Sequence, residues 1–315
     1  MKDTFYHSST YRNFDEFEEG LTAWDIEIYQ LEGGVFSNQL RQFSTGGMLI
    51  SEAEFGGKTH QIGSSPSGMT VAFITDSNQP LYWRNTELPA NSLMIFPQDR
   101  EFDVTTGIGK TQVMTVSFPE DKLADLCTEE EAEYILGVLS TCESLHLDDS
   151  FFQTAQNQIA FYFNKLSENI ALLDVEHLKR EIEANVLGGI IRSICSSKPS
   201  HRKGLVGDRT ARSRLDELIR SSSFHQLSIG EICEETEISE RSLLRYFQKK
   251  FGVSTKKFIN TVRLNKVRNE LKKSGCGRGV VSDIANRWGF WHMGQFAKDY
   301  RSLFDELPSE TLNKS

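Results

Sequence analysis

The sequence predicts an α+β protein of two domains: an amino-terminal β-barrel or double-sheet jelly roll with trailing helices, and a carboxyl-terminal all-α domain with two helix-turn-helix units. Three observations predict it. Between Ala23 and Phe118, short apolar stretches alternate with Gly, Asn, Ser and Pro, the pattern of many short strands joined by turns. At about 228–250 and again at about 281–304, a short helix, a tight turn and a second helix recur. Charge also divides along the chain. Residues 201–315 hold 22 Lys and Arg against 14 Asp and Glu, a net +8, whereas residues 1–200 hold 13 against 30, a net −17. The overall charge of −9 therefore conceals a basic module joined to an acidic one.

These patterns place a first domain at 1–197, with its β part at about 20–120 and its helical part at about 121–197. A linker follows at 198–207 and a second domain at 208–315. Residues 1–20 are polar and read as partly loose. Ile26–Leu31, Gly47–Ile50, Thr70–Ile74 and Leu93–Phe96 read as strands, and Val113–Phe118 alternates with period two, as a half-buried strand does. Helices then take over. Asp121–Leu139 is acidic and amphipathic. Asp149–Leu166 carries a stripe of Phe152, Ala155, Ile159, Phe163 and Leu166, and Val175–Cys195 one of Leu178, Ile182, Val186 and Ile190. Each stripe can bury against the barrel or against a second copy of the chain. Ser196–Gly204 is polar, basic and broken by Pro and Gly, which marks the linker. Arg209–Ser222 opens the second domain as a helix with Leu215 and Ile219 inward.

In the first helix-turn-helix unit, Ser228 and Glu231 have capping-box spacing, and Ile229, Ile232 and Cys233 share one helical face. The pattern breaks at Glu237-Ile238-Ser239, and Ser239 caps the next helix. There Leu243, Phe247 and Phe251 face inward, while Arg241, Arg245, Gln248 and Lys249 lie opposite. The second unit repeats this plan from Val281 to Phe304. Gly289 stands where the first helix must stop in a left-handed conformation. Phe296, Tyr300 and Leu303 or Phe304 form the buried stripe, and His292, Gln295, Lys298 and Arg301 face outward. Between the units, Ser254–Lys273 reads as one amphipathic helix of Phe258, Val262, Val267 and Leu271. At ~1.5 Å per residue it spans on the order of 30 Å, close to one turn of duplex DNA. Ser274–Gly279 then reads as a flexible elbow. A cationic helix presented by such a unit is the geometry that enters a major groove.

The run Asp283–Tyr300, with Leu303-Phe304 and Pro308-Ser309, resembles the DNA-binding domain of the AraC/XylS family of bacterial transcription regulators. Phe251–Ser254 and Arg263-Leu264 resemble that family's middle segment. The resemblance implies a seven-helix domain that binds double-stranded promoter DNA, and an activator working with RNA polymerase. It also implies a cupin-like amino-terminal domain for a small-molecule effector or for homodimer formation. By position, the family's base-reading places fall on Arg241, Leu244 and Arg245, and on Met293, Gly294 and Lys298. Around them, Ser239, Ser242, Gln248, Lys249, His292, Gln295 and Arg301 complete the expected DNA-binding set. Trp24-Asp25, Tyr29-Gln30-Leu31, Gly34 and Phe36 are similar to the subgroup of the ethanolamine-operon regulator.

Some residues depart from the family pattern. Glu237 occupies a turn position usually held by Gly, and Glu231, Glu234, Glu235 and Glu237 make the first helix acidic. Leu244 and Gly294 have no side-chain hydrogen bond to offer a base, although Leu244 can touch a thymine methyl. Base readout is therefore expected mainly from Arg241 and Arg245, with Lys249, Lys250, Arg301 and helix amino termini on phosphates. Trp291 covers the core or touches sugar or base; His292 contacts phosphate or caps its helix.

Other chemistries find little footing. Gly109-Lys110-Thr111 lacks the upstream glycine of a phosphate loop, since Val104 stands there, and Gly275–Gly279 lacks the last glycine of a dinucleotide fingerprint. Gly63–Gly68 misses nucleophile-elbow spacing. His60 has no second histidine two residues away, so it reads as a surface or hydrogen-bonded residue rather than a metal ligand. The five cysteines are scattered without a C-x-x-C pair, which fits a reducing cytoplasm and no zinc site. Met1–Phe17 is not a signal peptide, and no apolar run approaches membrane-spanning length. No catalytic residue, metal or cofactor is expected. Trp24, Trp83 and Phe73 are candidates for an effector pocket or for plain core. Two alternatives remain beside an effector-controlled regulator: control by a partner protein, and a cupin-type enzyme fused to a DNA-binding domain.

Overall fold

The largely polar segment Thr4–Tyr11 forms a strand. The computed structural model describes residues 3–77, 81–83, 86–89, 91–96, 98, 101–197, 209–221, 223–275 and 279–314. They fall into two compact units, one of residues 1–27, 37–56 and 62–202, the other of residues 28–36, 57–61 and 203–315. The predicted linker at 198–207 lies outside the described residues.

The β-rich region begins with β1 (Thr4–Tyr11) and α1 (Phe14–Gly20), followed by β2 (Asp25–Gln30), β3 (Asn38–Thr45), β4 (Leu49–Phe55) and β5 (Thr59–Ser64). Next come β6 (Met69–Ser77), β7 (Tyr82–Trp83), β8 (Thr86–Glu87), β9 (Ser92–Phe96), β10 (Phe102–Thr105) and β11 (Thr111–Phe118). The expectation of a loose start is overturned. β1 pairs antiparallel with β3 along its whole length, and Asn13 caps α1, which buries Phe14 and Phe17. Among the described residues the strands form two open sheets, ordered β1-β3-β4-β11-β6-β9-β12 and β2-β5-β10-β7-β8, not one closed barrel. The short β12 (Ser144–His146) completes the larger sheet beside β9.

Helices α2 (Asp121–Ala124), α3 (Glu129–Thr141), α4 (Asp149–Glu168) and α5 (Glu176–Ser196) follow. The single helix expected over 121–139 is in fact two. Thr128 starts the second with a full capping box to Glu131, and so ends any continuation from α2. The stripe of α4 is buried as read from the sequence. With Ile182, Val186 and Ile190 of α5, it packs on Phe43, Ile50, Val71, Phe73, Val116 and Phe118 of the larger sheet, forming the core of the first unit.

β11 is not half-buried. It lies between β4 and β6 and is covered on both faces, one lined by Met114, Val116 and Phe118 and the other by hydroxyl side chains together with Val113. Met114, Val116 and Phe118 join the helical core. Thr111, Thr115 and Ser117 point the other way, because successive strand side chains alternate. Gln42, Ser51, Thr115 and Ala72 lie in cross-strand register on that second face. Gln42 donates to Ser51 Oγ at 2.8 Å and accepts from the Thr22 amide at 3.1 Å.

The second unit contains α6 (Arg209–Arg220), α7 (Ile229–Thr236), α8 (Glu240–Phe251), α9 (Thr255–Lys273), α10 (Val280–Arg287), α11 (Met293–Phe304) and α12 (Pro308–Asn313). Leu215 and Ile219 of α6 are buried as expected. α9 differs from the amphipathic helix predicted, because burial extends round most of its surface. Phe258 packs against Phe224 and Phe247 edge to face and against Phe251 at a tilt near its start, whereas Leu264, Val267 and Leu271 join Ile284, Phe296, Tyr300 and Phe304 further on. One helix thus supplies core to both helix pairs. The elbow expected at Ser274–Gly279 includes residues 276–278, which lie outside the described residues.

Residues 28–36 and 57–61 belong to this second unit. The Gln30 amide donates to Asn265 Oδ1 at 3.0 Å, and Lys58 Nζ donates to the Phe251 carbonyl at 2.9 Å. His60 is not at the surface as one reading had it. It is fully buried among the rings of Tyr29, Phe251 and Phe258.

Candidate nucleic-acid interface

The first helix pair is built by its caps. Ser228 accepts from the Glu231 amide at 3.3 Å, and the Glu231 carboxylate accepts from the Ser228 amide at 2.7 Å. These hydrogen bonds hold the Glu231 carboxyl below its ordinary range. α7 ends at Glu237, which adopts the left-handed conformation (φ 57°, ψ 28°). A non-glycine residue pays about 1–2 kcal/mol there. Arg214 of α6 contacts the Glu237 carboxylate at 3.0 Å, an exposed ion pair that offsets only part of this. Ser239 then caps α8, accepting from the Ser242 amide at 3.4 Å while its hydroxyl donates to Ser242 Oγ at 3.0 Å.

On α8 the inward stripe is Leu243, Phe247 and Phe251. Arg241, Ser242, Leu244, Arg245, Gln248 and Lys249 are all exposed on the other side. Lys250 does not join them. It is buried against the Tyr246 and Phe251 rings, with Nζ donating to the Tyr246 hydroxyl at 3.2 Å and 3.9 Å from Asp216. Position 250 lies one helical turn beyond Phe247, on the inward stripe, so its charge is held inside the unit and does not face phosphates.

In the second pair, the α10-to-α11 turn passes through Gly289 at φ 82°, where glycine carries no steric cost. A Cβ there would also approach Arg263 Nη1 to 3.5 Å. Arg263 donates from Nε to the His225 carbonyl at 2.7 Å, and burial lowers its pKa. α11 buries Phe296, Tyr300, Leu303 and Phe304. His292, Gly294, Gln295, Lys298 and Arg301 are exposed, and Met293 is half-buried against the core. His292 stands at the cap position without a side-chain cap hydrogen bond. Gln295 is engaged within its own helix, donating to Asp299 Oδ1 at 2.7 Å.

Below this surface the second unit is locked by charge. Arg268 of α9 pairs with Glu306, which also accepts from Thr311 at 2.6 Å and Lys314 at 2.5 Å. Burial works to raise the Glu306 carboxyl, but the hydrogen bonds from Lys314 and Thr311 and the Arg268 charge outweigh it, leaving a pKa of about 2. Burial pushes the neighbouring Tyr300 phenol up to about 12. Trp288 donates to Glu270 at 2.6 Å and so is tied to α9.

The structure thus gathers eleven of the sequence candidates on two solvent-facing stripes: Ser239, Arg241, Ser242, Leu244, Arg245, Gln248 and Lys249 on one, and His292, Gln295, Lys298 and Arg301 on the other. Met293 is only partly available. Trp291, for which the sequence left core and surface both open, is 73% exposed. Trp24, Trp83 and Phe73 do not form one pocket wall. Trp24 and Trp83 cluster with Phe96 and Phe102, whereas Phe73 packs against Phe152 in the helical core.

Among the described residues no group of three or more His, Cys, Asp or Glu is placed to hold a metal ion, and no helix is long and apolar enough to cross a membrane.

Residues 232–314 match a family described as a helix-turn-helix domain. A transcriptional activator of the XylDLEGF operon from Pseudomonas putida (activator 2) is 33% identical over 112 residues, covering 36% of this chain and 71% of that protein. Another activator of that operon from the same species is 34% identical over 101 residues, but the match spans only 32% of its length and 32% of this chain. Among solved structures, the AraC-like transcriptional activator CuxR aligns with 82% of this chain and 94% of its own, at 16% identity and a TM-score of 0.44. At 33% identity over 71% of the XylDLEGF operon activator 2, across two helix pairs built on a common helix, the chain belongs to the AraC/XylS family of transcription regulators.

Proposed function

We propose that this protein is a transcription activator that binds promoter DNA sequence-specifically, laying α8 and α11 in successive major grooves. The observation that carries the reading is the pair of outward stripes on helices whose cores share α9. Arg241 and Arg245 read bases, Arg to guanine being the commonest specific contact at ~1–3 kcal/mol. Ser239, Ser242, Gln248, Lys249, His292, Gln295, Lys298 and Arg301 hold phosphates or neighbouring base edges, and Leu244 meets a thymine methyl. Residues 208–315 act as the DNA-binding domain and recruit RNA polymerase. Residues 1–197 form a cupin-like control domain, and the protein works in the cytoplasm without catalytic chemistry. The test is a gel-shift titration of Arg245→Ala against DNA enriched by the wild-type protein. Loss of discrimination with an unchanged fold supports the reading; unchanged specific binding refutes it.

A small-molecule effector is the form of control best supported. The inner row of Gln42, Ser51 and Thr115 is buried and polar, and Thr115 Oγ1 and Trp24 Nε1 are buried without a hydrogen-bond partner. Buried polar atoms are ordinarily paired, so an effector that bonds the Thr115 hydroxyl would supply the partner it lacks. The exposed Tyr134, Phe161 and Ile170 offer a surface for a second copy of the chain. Thermal-shift screening of small uncharged metabolites tests effector control. Stabilisation that Thr115→Val removes favours it, whereas pull-down of a dedicated protein with no metabolite response favours partner control.

A further inference from the structure

The second recognition helix opens with two features that folding does not account for. The first is Trp291. It directly precedes His292, the cap residue of α11, and a bulky apolar side chain there ordinarily packs on the fourth helical residue as a hydrophobic staple. That residue is Phe296, and its place is already filled. Phe290 lies against it with ring centroids 5.2 Å apart, and Tyr300 closes its other side at 5.8 Å. The indole is left 73% exposed, the most exposed large hydrophobic side chain among the described residues.

The second feature is Gly294. It lies inside α11, where glycine weakens a helix, yet its φ is not positive and a Cβ there would meet nothing within 4 Å. Neither backbone conformation nor packing within the protein requires a glycine. Gly294, Lys298 and Arg301 follow one another at helical spacing along the exposed face of α11, opposite Phe296, Tyr300 and Phe304, and Trp291 stands exposed just before that helix begins. An exposed apolar ring thus precedes the helix, and an uncrowded backbone position opens the stripe that the cations continue.

Building on the DNA-binding reading above, we propose that Trp291 and Gly294 form a thymine-reading surface: the indole packs on a thymine C5-methyl in the major groove, and the bare backbone at Gly294 admits the base edge. The occupant is duplex DNA because the flanking exposed charges are positive and the surrounding region carries a net +8. The methyl is the one apolar group that a base pair displays in that groove. Trp291 is here a specificity residue, and arginine readout on α8 does not depend on it.

The test uses the full chain and duplexes enriched by it from a random pool. Wild-type protein is expected to enrich a bipartite motif. Trp291→Ala is expected to enrich the same motif with one thymine position made degenerate, and to bind the parent duplex about tenfold more weakly, with an unchanged melting temperature. Replacing that thymine by deoxyuridine, which removes only the methyl, should weaken the wild type by a similar factor and leave Trp291→Ala unaffected. Gly294→Ala should raise the melting temperature while weakening binding, a combination that a purely structural role does not give. The proposal is overturned if Trp291→Ala keeps both motif and affinity, if no thymine-to-uracil change affects the wild type, or if Gly294→Ala binds as well as it folds. If the wild type enriches no sequence at all, both this proposal and the DNA-binding reading fall; if only the Trp291 and uracil effects are missing, the latter stands.

Discussion

The two helix-turn-helix units solve the same turn with different residues and different reserves. In the first, Glu237 takes the left-handed position and leans on an exposed ion pair from Arg214. In the second, Gly289 takes it freely, and the unit is pinned from below by Arg268, Glu306, Thr311 and Lys314. Their outer faces differ as well. α8 offers Arg241 and Arg245 close to its start, whereas α11 is preceded by an exposed indole and carries a glycine before Lys298 and Arg301. On the proposed function, the first unit would read bases by hydrogen bonds above a strained turn, and the second by apolar contact above a frame tied by an ion-pair network.

The largest expected effect breaks that frame. Arg268→Ala leaves Glu306 without its buried partner, and removing one member of such a pair costs about 3 kcal/mol. Chemical denaturation should show this loss, and hydrogen exchange should place it in α10–α12 more than in α7–α8. Next comes Arg245→Ala, expected to cost about 2 kcal/mol of specific DNA binding with no change in melting temperature, as read by gel shift and calorimetry. Glu237→Gly has a smaller effect of opposite sign on stability. Relief of the left-handed strain should stabilise the first unit by up to about 1 kcal/mol, less whatever the Arg214 pair contributes. The matching change Gly289→Ala should destabilise the second.

Acid sharpens the same contrast. The folded pKa of Glu306 is held at about 2, below the ordinary carboxylate range, so its stabilisation is present above about pH 4.5 and is lost as pH falls towards 2. Acid melting of the second unit should therefore follow Glu306, and Glu306→Gln should flatten that part of the profile, measured by circular dichroism.

Much of the second unit was legible because local signals agreed. Ser228 with Glu231, Gly289, and the Leu243, Phe247 and Phe251 stripe each specify one geometry. Lys250 was misplaced because it follows Lys249 and reads as more of the same charge, although helical spacing sets it beside Phe247 and Phe251. Trp291 could not be settled from sequence, since Phe290 and Trp291 compete for the same contact with Phe296. In the β-rich region, β11 was found but its burial was misjudged. Thr115 and Ser117 look solvated in sequence, but both faces of this interior strand are buried. β1 and β3 were missed for a related reason. Their polar residues gain their place from cross-strand partners, such as Thr4 opposite Thr45 and Gln42 with Ser51.

The central claim is that one chain sets two recognition helices into consecutive major grooves on one side of a duplex. Its most direct test is to insert about five base pairs, half a helical turn, between the two halves of the enriched motif. The account predicts that affinity falls to that of a single half-motif. Undiminished binding to the half-turn duplex would contradict it.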